Sequence, residues 1–540
     1  MNLNFRWAAA LVDQLRRTGA ELAVVAPGSR SAPLAWACAE GLRTHVVLDE
    51  RSAAFVALGM AKGTGRPAVV VATSGTAGSH FYPAILEAEA AGVPLVALTA
   101  DRPPELHGCG APQTIDQQFL FGNHARFADL GLPAPDFRPL RALLAATIRR
   151  DGPTHLNAPF REPLSPVQEP LPELTDAPAD VATPAAPLPD VRAALEALKP
   201  RGVILCGPRD AEDELPRAVE ALARTTGYAV IAEAASQLRF TVPSAVAHAD
   251  TILRNDSWAR ALRPDVVVRF GGGVTSKVVQ EYADLATTTI VVHERGEVVD
   301  PSRRASFVLH GEAPAIARAL AAGGQGGPLA ALFRVADQRV RAALEDLPFG
   351  EPLVARETLA SVPAHGQLFV SSSMPIRDLD AFGTAARPGV RILANRGVNG
   401  IDGIVSTAAG AALATGRPTT ALVGDLAFQH DLGGLLAASR LGARLRIVVV
   451  HNDGGGIFHF LPIARHAERF ETLFGTPHGL AFAHAAALAG FPFQAARDAA
   501  GLREALKASG VVEVRTDRTA NVEQHRALHD AAARALGDPP

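Results

Sequence analysis

Short runs of aliphatic and β-branched residues alternate along the chain with longer alanine-rich stretches of helical rhythm. In the leading part the runs are Leu22–Ala26, His45–Asp49, Ala68–Thr73 and Pro94–Thr99. In the middle they are Gly202–Gly207, Asp265–Phe270 and Thr289–His293, and in the trailing part Gln367–Ser371, Val390–Ala394, Thr419–Gly424, Leu445–His451 and Val511–Arg515. Most are continuously apolar rather than alternating, the mark of strands covered by helices on both faces. Runs separated by helical stretches predict βαβ units and parallel sheets, hence an α/β chain of three doubly wound, mainly parallel-sheet domains. Ten prolines between 151 and 190 predict an extended connector without helix or central strand. A second break, Gly323-Gly324-Gln325-Gly326-Gly327-Pro328, precedes a further helical pattern. The domains are therefore expected at 1–180, with the proline-rich linker at its end, at 190–325 and at 350–540.

Composition narrows the partners. Of 540 residues 48% are apolar and 20% charged, enough for several cores. A net charge of -3 speaks against nucleic acid or an anionic membrane surface as partner. Cys38, Cys109 and Cys206 form no disulfide framework or zinc pattern, which fits a reducing cytoplasm. No run approaches the roughly 18 apolar residues of a membrane span, and Met1–Ala20 lacks a signal-peptide core. A cytoplasmic protein without membrane insertion is expected.

Candidate chemistry gathers where runs end. Gly424-Asp425-Leu426 closes one run and Asn452 the next. Ligands of open α/β sheets bind beyond the carboxyl ends of strands. A carboxylate and an amide oxygen there suit a hard divalent cation, which suits a diphosphate; ordinary strand-end turns are the plainer explanation. Glu50 stands at the mouth of an apolar helix, where the helix dipole alone favours an acid. Ala26-Pro27-Gly28-Ser29-Arg30-Ser31 and Val71-Ala72-Thr73-Ser74-Gly75-Thr76-Ala77-Gly78 are strand-to-helix turns offering hydroxyls, N–H groups and a guanidinium, fit for capping or for a ligand. Gly271-Gly272-Gly273-Val274-Thr275-Ser276-Lys277 lacks the residue order of a P-loop. His80, His107, His124, His451, His459 and His478 show no metal-ligand spacing, and none is assigned a catalytic role.

Several segments, taken together and in order, are specific: Ala26–Ser31, Asp49-Glu50-Arg51-Ser52-Ala53, Thr99-Ala100-Asp101-Arg102-Pro103-Pro104-Glu105-Leu106, Gly110-Ala111-Pro112-Gln113-Thr114-Ile115-Asp116-Gln117, Asn395-Arg396-Gly397, Gly400-Ile401-Asp402-Gly403 and Asn452-Asp453-Gly454-Gly455-Gly456-Ile457-Phe458. Over essentially its whole length the chain resembles the 2-succinyl-5-enolpyruvyl-6-hydroxy-3-cyclohexene-1-carboxylate (SEPHCHC) synthases of menaquinone or phylloquinone biosynthesis, a branch of the thiamine-diphosphate-dependent enzymes. The resemblance implies the thiamine-diphosphate enzyme fold, with pyrimidine-binding, central and diphosphate-binding domains in that order. It also implies a transferase that decarboxylates 2-oxoglutarate and adds the succinyl remnant to isochorismate in a 1,4 sense.

The cofactors so implied are thiamine diphosphate and Mg²⁺, with Mn²⁺ as a substitute. Asp425, Asn452 and the main-chain carbonyl of Gly454 would hold the metal. Ser373, Arg396, Gly397, Gly424, Leu426 and Ile457 would line the cofactor, and Ile401 would prop it in a bent form. Glu50 would share a proton with N1′ of the aminopyrimidine, joined in catalysis by Ser29, Arg30 and Gln113. Substrate contacts would come from Arg30, Arg102, Gln113, Lys277, Ser373, Arg377, Arg396 and Leu461, the guanidinium forks matching carboxylates. Glu50 and Asp425 would serve one cofactor from different subunits, making a homodimer or a dimer of dimers (homotetramer). The segment Phe458–Phe474 is expected to close over the pocket. Leu426 and Asp453 depart from the wider superfamily, where glycine and asparagine are frequent. The alternatives are an acetolactate-synthase-like carboligase, often flavin-bearing, and a non-catalytic metabolite-binding regulator.

Overall fold

The apolar runs become strands because helices cover both faces of each sheet. The computed structural model of the chain describes residues 2–180, 187–295, 297–324 and 326–540. Residues 181–186 of the proline-rich connector and Gln325 of the second break lie outside them.

The leading sheet holds β1 (Leu22–Val25), β2 (Arg43–Val46), β3 (Ala68–Ala72), β4 (Leu95–Asp101), β5 (Arg126–Asp129) and β6 (Thr154–Pro159), in the order β2-β1-β3-β4-β6-β5. The central sheet holds β7 (Gly202–Cys206), β8 (Ala229–Ala232), β9 (Val266–Phe270), β10 (Thr288–His293) and β11 (Phe307–His310), ordered β11-β10-β9-β7-β8. The trailing sheet holds β12 (Gln367–Val370), β13 (Arg391–Leu393), β14 (Thr419–Gly424), β15 (Leu445–His451), β16 (Phe493–Ala496) and β17 (Gly510–Arg515), ordered β13-β12-β14-β15-β17-β16. All strand pairs are parallel. Counted from each domain's first strand, the leading and trailing sheets have the same order. In both, the strand order reverses beside the first strand, so crevices open past β1 and β3 and past β12 and β14.

The proline count misleads for one stretch. Thr154–Pro159 is no connector; it is an internal strand, paired with β4 and β5 and buried throughout. Pro153 precedes the strand and Pro159 is its last residue, opposite Asp101, so the five residues between them keep their N–H groups for the ladder. β5, β8, β11 and β16 also escaped the pattern. All four are edge strands, and three of them are partly exposed.

The leading and trailing domains meet through two helices, Glu50–Thr64 and Ile404–Thr415. A Cβ added at Gly59 would lie 1.9 Å from the Thr407 carbonyl oxygen, and one at Gly410 would lie 1.9 Å from that of Val56. The backbones touch, which only glycine permits. This contact sets the first turn of the helix bearing Glu50 relative to the trailing sheet.

Candidate active site at the strand ends

β14 delivers Asp425 to the first position of a short helix, where its side chain is buried. Its Oδ1 accepts the Leu426 N–H at 2.7 Å and its Oδ2 the Gly454 N–H at 3.0 Å. Gly424 and Leu426 flank it, both half-buried. Asn452 follows β15, and its Nδ2 donates to Glu351 Oε1 at 2.9 Å. That bond turns Oδ1 the other way, where it is buried with no hydrogen-bond partner among the described residues. A buried acceptor without a donor is costly unless a ligand completes it. Burial, and then the charge of Asp378, pushes the Glu351 carboxyl up to about 7. Gly454 has φ +138°, and a Cβ there would lie 1.9 Å from the Gly475 carbonyl oxygen. Its own carbonyl accepts the Gly456 N–H at 2.9 Å and keeps a second lone pair.

The segment after this loop is a series of short helical turns: Gly456–Phe460, Pro462–Arg465, Ala467–Phe470 and Glu471–Gly475. Arg518 fastens it, donating to the carbonyls of Asp453 (2.6 Å) and Gly475 (3.0 Å) and to Glu471 (2.9 Å). Phe458 and Phe474 meet edge to face at 5.6 Å. Leu461 projects with 46% exposure and Ile457 is half-buried. His478 brings its Nε2 within 3.3 Å of Asp425 Oδ2 and stacks on His451 at 5.1 Å. These two rings and Asp425 place their ligand atoms within 4.8 Å of one another. However, His478 Nδ1 accepts the Leu480 N–H at 3.0 Å, so the neutral ring carries its proton on Nε2 and presents a donor, not a metal ligand.

Beyond β12 and β13 lies a cationic pair. Arg396 Nη1 donates to Ser372 Oγ at 3.2 Å, while its Nε is buried and unpaired among the described residues. Arg377 donates to the Ser373 carbonyl at 2.6 Å, and Ser373 caps its helix with φ +74°. Desolvation, and then the charge of Arg396, lowers the Arg377 guanidinium below its ordinary range. Facing them is Glu233, whose carboxylate accepts the N–H and, at 3.2 Å, the hydroxyl of Thr275. Burial and the charge of Asp380 push Glu233 up to about 8. An acid thus occupies an N–H of the glycine-rich loop where a P-loop would hold phosphate. Lys277, at the end of that loop, is 87% exposed in its side chain and lies 3.4 Å from Glu281.

Between Arg396 and the helix Ile404–Thr415, the Gly397, Val398 and Asn399 amides donate to the buried Glu87 carboxylate. Ile401 is half-buried against the trailing core.

In the leading domain Arg30 is buried; it donates to the Phe160 carbonyl at 2.9 Å, and burial and then Arg102 lower its guanidinium. Arg102 donates to Ser74 Oγ at 2.9 Å. Gln113 (φ +57°) donates to the Ser74 carbonyl at 3.1 Å and accepts the Ser74 hydroxyl at 3.0 Å on its own carbonyl. Ser29 is exposed on the same turn as Arg30. The helix bearing Glu50 is capped by Asp49, which accepts the Ser52 N–H at 3.1 Å, so the cap does not need Glu50. Glu50 is half-buried and has no hydrogen-bond or ion-pair partner among the described residues. With Leu48, Asp49, Arg51 and His80 it lines a concavity of about 560 Å³.

Three family models match the chain: the N-terminal TPP binding domain of thiamine pyrophosphate enzymes over residues 5–120, their middle domain over 180–370 and their C-terminal TPP binding domain over 384–522. Among curated proteins, the SEPHCHC synthase of Myxococcus xanthus is 50% identical, covering 100% of this chain and 99% of its own. Those of Geobacillus kaustophilus (43%) and a Roseiflexus species (40%) each cover 98% of both chains. The chain belongs to the SEPHCHC synthase family of thiamine pyrophosphate enzymes.

For a SEPHCHC synthase the residues fit the cofactor's needs. Asp425 and the unpaired Asn452 oxygen form an oxygen donor pair, and Gly454 leaves no room for a side chain. The matches do not favour an acetolactate-synthase-like enzyme, nor a non-catalytic regulator. The structure joins Arg30, Arg102 and Gln113 in one group, Ser373, Arg377 and Arg396 in another, and Gly424, Asp425, Leu426, Asn452 and Gly454 in a third. Among the described residues neither Glu50 nor Lys277 bonds to any of these. Sequence reasoning missed Glu87, Glu233, Glu351 and Asp380, offered Ser74 only within a turn fit for capping or a ligand, and named His478 without giving it a role. Glu233 follows an apolar run, Ala229–Ala232, so the strand-end rule that flagged Asp425 would have found it.

Proposed function

We propose that this chain, carrying thiamine diphosphate and Mg²⁺ (or Mn²⁺), decarboxylates 2-oxoglutarate and joins the four-carbon remnant to isochorismate by 1,4-addition, giving SEPHCHC and CO₂ for menaquinone or phylloquinone biosynthesis. The cofactor, when bound, supplies the electron sink that makes loss of CO₂ from a 2-oxo acid feasible. The single observation that carries the reading is the buried, unpaired Asn452 oxygen beside the Asp425 carboxylate at the ends of adjacent strands. Asp425, Asn452 and the Gly454 carbonyl would hold the metal; Gly424, Leu426, Ile457, Ser373, Arg396, Gly397 and Ile401 would surround the cofactor.

Glu50 stands unpaired at a concavity in the single chain. In this reading a partner's diphosphate half covers it, and it holds the proton at N1′ of the aminopyrimidine. A dimer or dimer of dimers follows, working in the cytoplasm. The four substrate carboxylates call for fixed cations. Arg30, Arg102, Arg377 and Arg396 supply them; desolvation and like-charge neighbours that lower Arg30 and Arg377 are offset once anions bind. Gln113 and Ser29 would contact the reacting carbonyl region, Ser373 and Leu461 the substrate. Lys277 serves as an anion contact only if its pairing with Glu281 breaks.

Mixed dimers test the shared site. Chains carrying Glu50→Gln and chains carrying Asp425→Asn, each inactive alone, are co-expressed with different tags and the mixed species isolated. One site then carries both changes and the other carries neither, so about half the wild-type turnover returns. A mixed dimer as dead as its parents would refute the cross-subunit site.

A further inference from the structure

Glu87 is an acid in the middle of the apolar helix Tyr82–Ala91, with none of its surface exposed. Its Oε1 accepts the Gly397 N–H at 3.0 Å, and its Oε2 accepts those of Val398 (2.9 Å) and Asn399 (3.0 Å). Three consecutive amides converging on one carboxylate form a small anion nest, built here around a side chain of another domain. Lys62 Nζ lies 3.9 Å from Oε1, is itself buried, and bonds to Asp210 of the central domain at 2.7 Å. At the start of β13, Arg391 donates to the carbonyls of Gly63 (2.6 Å) and Asp210 (2.7 Å). Strand and loop are thus tied to one patch where all three domains meet. Gly397 must be glycine, because a Cβ would lie 2.8 Å from that of Ala90 and 2.9 Å from Glu87 Oε2.

A fully buried carboxylate is tolerated only when paired and hydrogen-bonded. Ordinary helix packing would be served by an alanine, like those around it. What the acid does here is fix the backbone immediately after Arg396, whose only side-chain hydrogen bond among the described residues goes to Ser372. We propose that Glu87 is a positioning residue: by gripping the 397–399 amides it aims the Arg396 guanidinium at a substrate carboxylate. Its action is indirect, through the loop, and the inference rests on the anion-binding reading of Arg396.

The test is a double-mutant cycle on the full-length enzyme with thiamine diphosphate and Mg²⁺, combined with hydrogen–deuterium exchange on the protein alone. Glu87→Gln replaces one acceptor oxygen by a donor facing an N–H. Exchange of the 397–399 amides should quicken about tenfold or more, and KM for a carboxylate substrate should rise about tenfold, with a smaller change in kcat. In an Arg396→Ala background the same change should raise KM less than about threefold further. Unchanged exchange would overturn the grip, and KM effects that multiply across the cycle would overturn action through Arg396. If Arg396→Ala alone leaves both substrates' KM untouched, the anion-pocket reading fails and this proposal with it, while the exchange data still report on the grip. Glu87→Asp keeps the charge opposite Lys62 but shortens the reach. Should Glu87→Gln fail to fold, Glu87→Asp is judged by the same outcomes.

Discussion

Gly410→Ala turns the contact between the two outer domains into a quantitative test. An alanine Cβ at this position would lie 1.9 Å from the Val56 carbonyl oxygen, 2.8 Å from its carbon and 3.0 Å from the Met60 nitrogen. All three are backbone atoms, so no rotamer change relieves them. Ordinary carbon contacts fall near 3.5 Å, so the helices Glu50–Thr64 and Ile404–Thr415 must separate by roughly 1.5 Å. Overpacking of this kind costs about 1–3 kcal/mol, and a backbone clash belongs at the upper end. Gly59→Ala opens the same seam from the other side, so the double variant should cost less than the sum of the singles. The consequence reaches Glu50, which rides on the first turn of the displaced helix. A misplacement of about 1 Å in a catalytic group is worth about 100-fold in rate. Urea unfolding followed by tryptophan fluorescence gives the stability change, and steady-state turnover gives the functional one. If Gly410→Ala unfolds at the wild-type midpoint and turns over normally, the close contact does not set the geometry of the site.

Other substitutions probe separate parts. Glu351→Ala frees the Asn452 amide that Glu351 now orients, so the Mg²⁺ concentration for half-maximal activity should rise about 10–100-fold; an unchanged metal requirement would remove Glu351 from the site. Glu233 has an ordinary value of 4.5 and is pushed up to about 8 by burial and Asp380. The unfolded chain therefore releases its proton at lower pH than the fold, and the stability contributed by the protonated acid is complete below pH 4.5 and lost as pH rises towards 8. Glu233→Gln, which does not titrate, should gain in melting temperature over wild type from pH 5 to pH 8, and a difference independent of pH would show that Glu233 is not held protonated.

The central strands of the three sheets, β6 excepted, were legible in the chain because burial on both faces makes a run continuously apolar. The edge strands β5, β11 and β16 were not, since a partly exposed edge carries no such run, and β8 was passed over because its apolar run is only four residues long. Thr154–Pro159 was hidden by prolines that stand only at its ends, Pro153 just before the strand and Pro159 as its last residue, opposite Asp101. Asp425 and Asn452 could be read from their places at run ends, and Arg396 and Gln113 from the company of their motifs. Glu87 and Glu351 could not. Their partners lie 310 and 101 positions away, and nothing local distinguishes a carboxylate that grips a distant loop from one that faces water. His478 likewise meets Asp425 only through the turn after Gly475.

The assignment of Asp425, Asn452 and the arginine pairs to one chemistry stands or falls on a direct assay. Purified enzyme with thiamine diphosphate and Mg²⁺ is given 2-oxoglutarate and isochorismate, and both isochorismate loss and product mass are followed. The expected result is consumption of both substrates, release of CO₂ and a product heavier than isochorismate by the succinyl semialdehyde unit, with no such product from pyruvate. A chain that ignores 2-oxoglutarate and condenses pyruvate instead would contradict it.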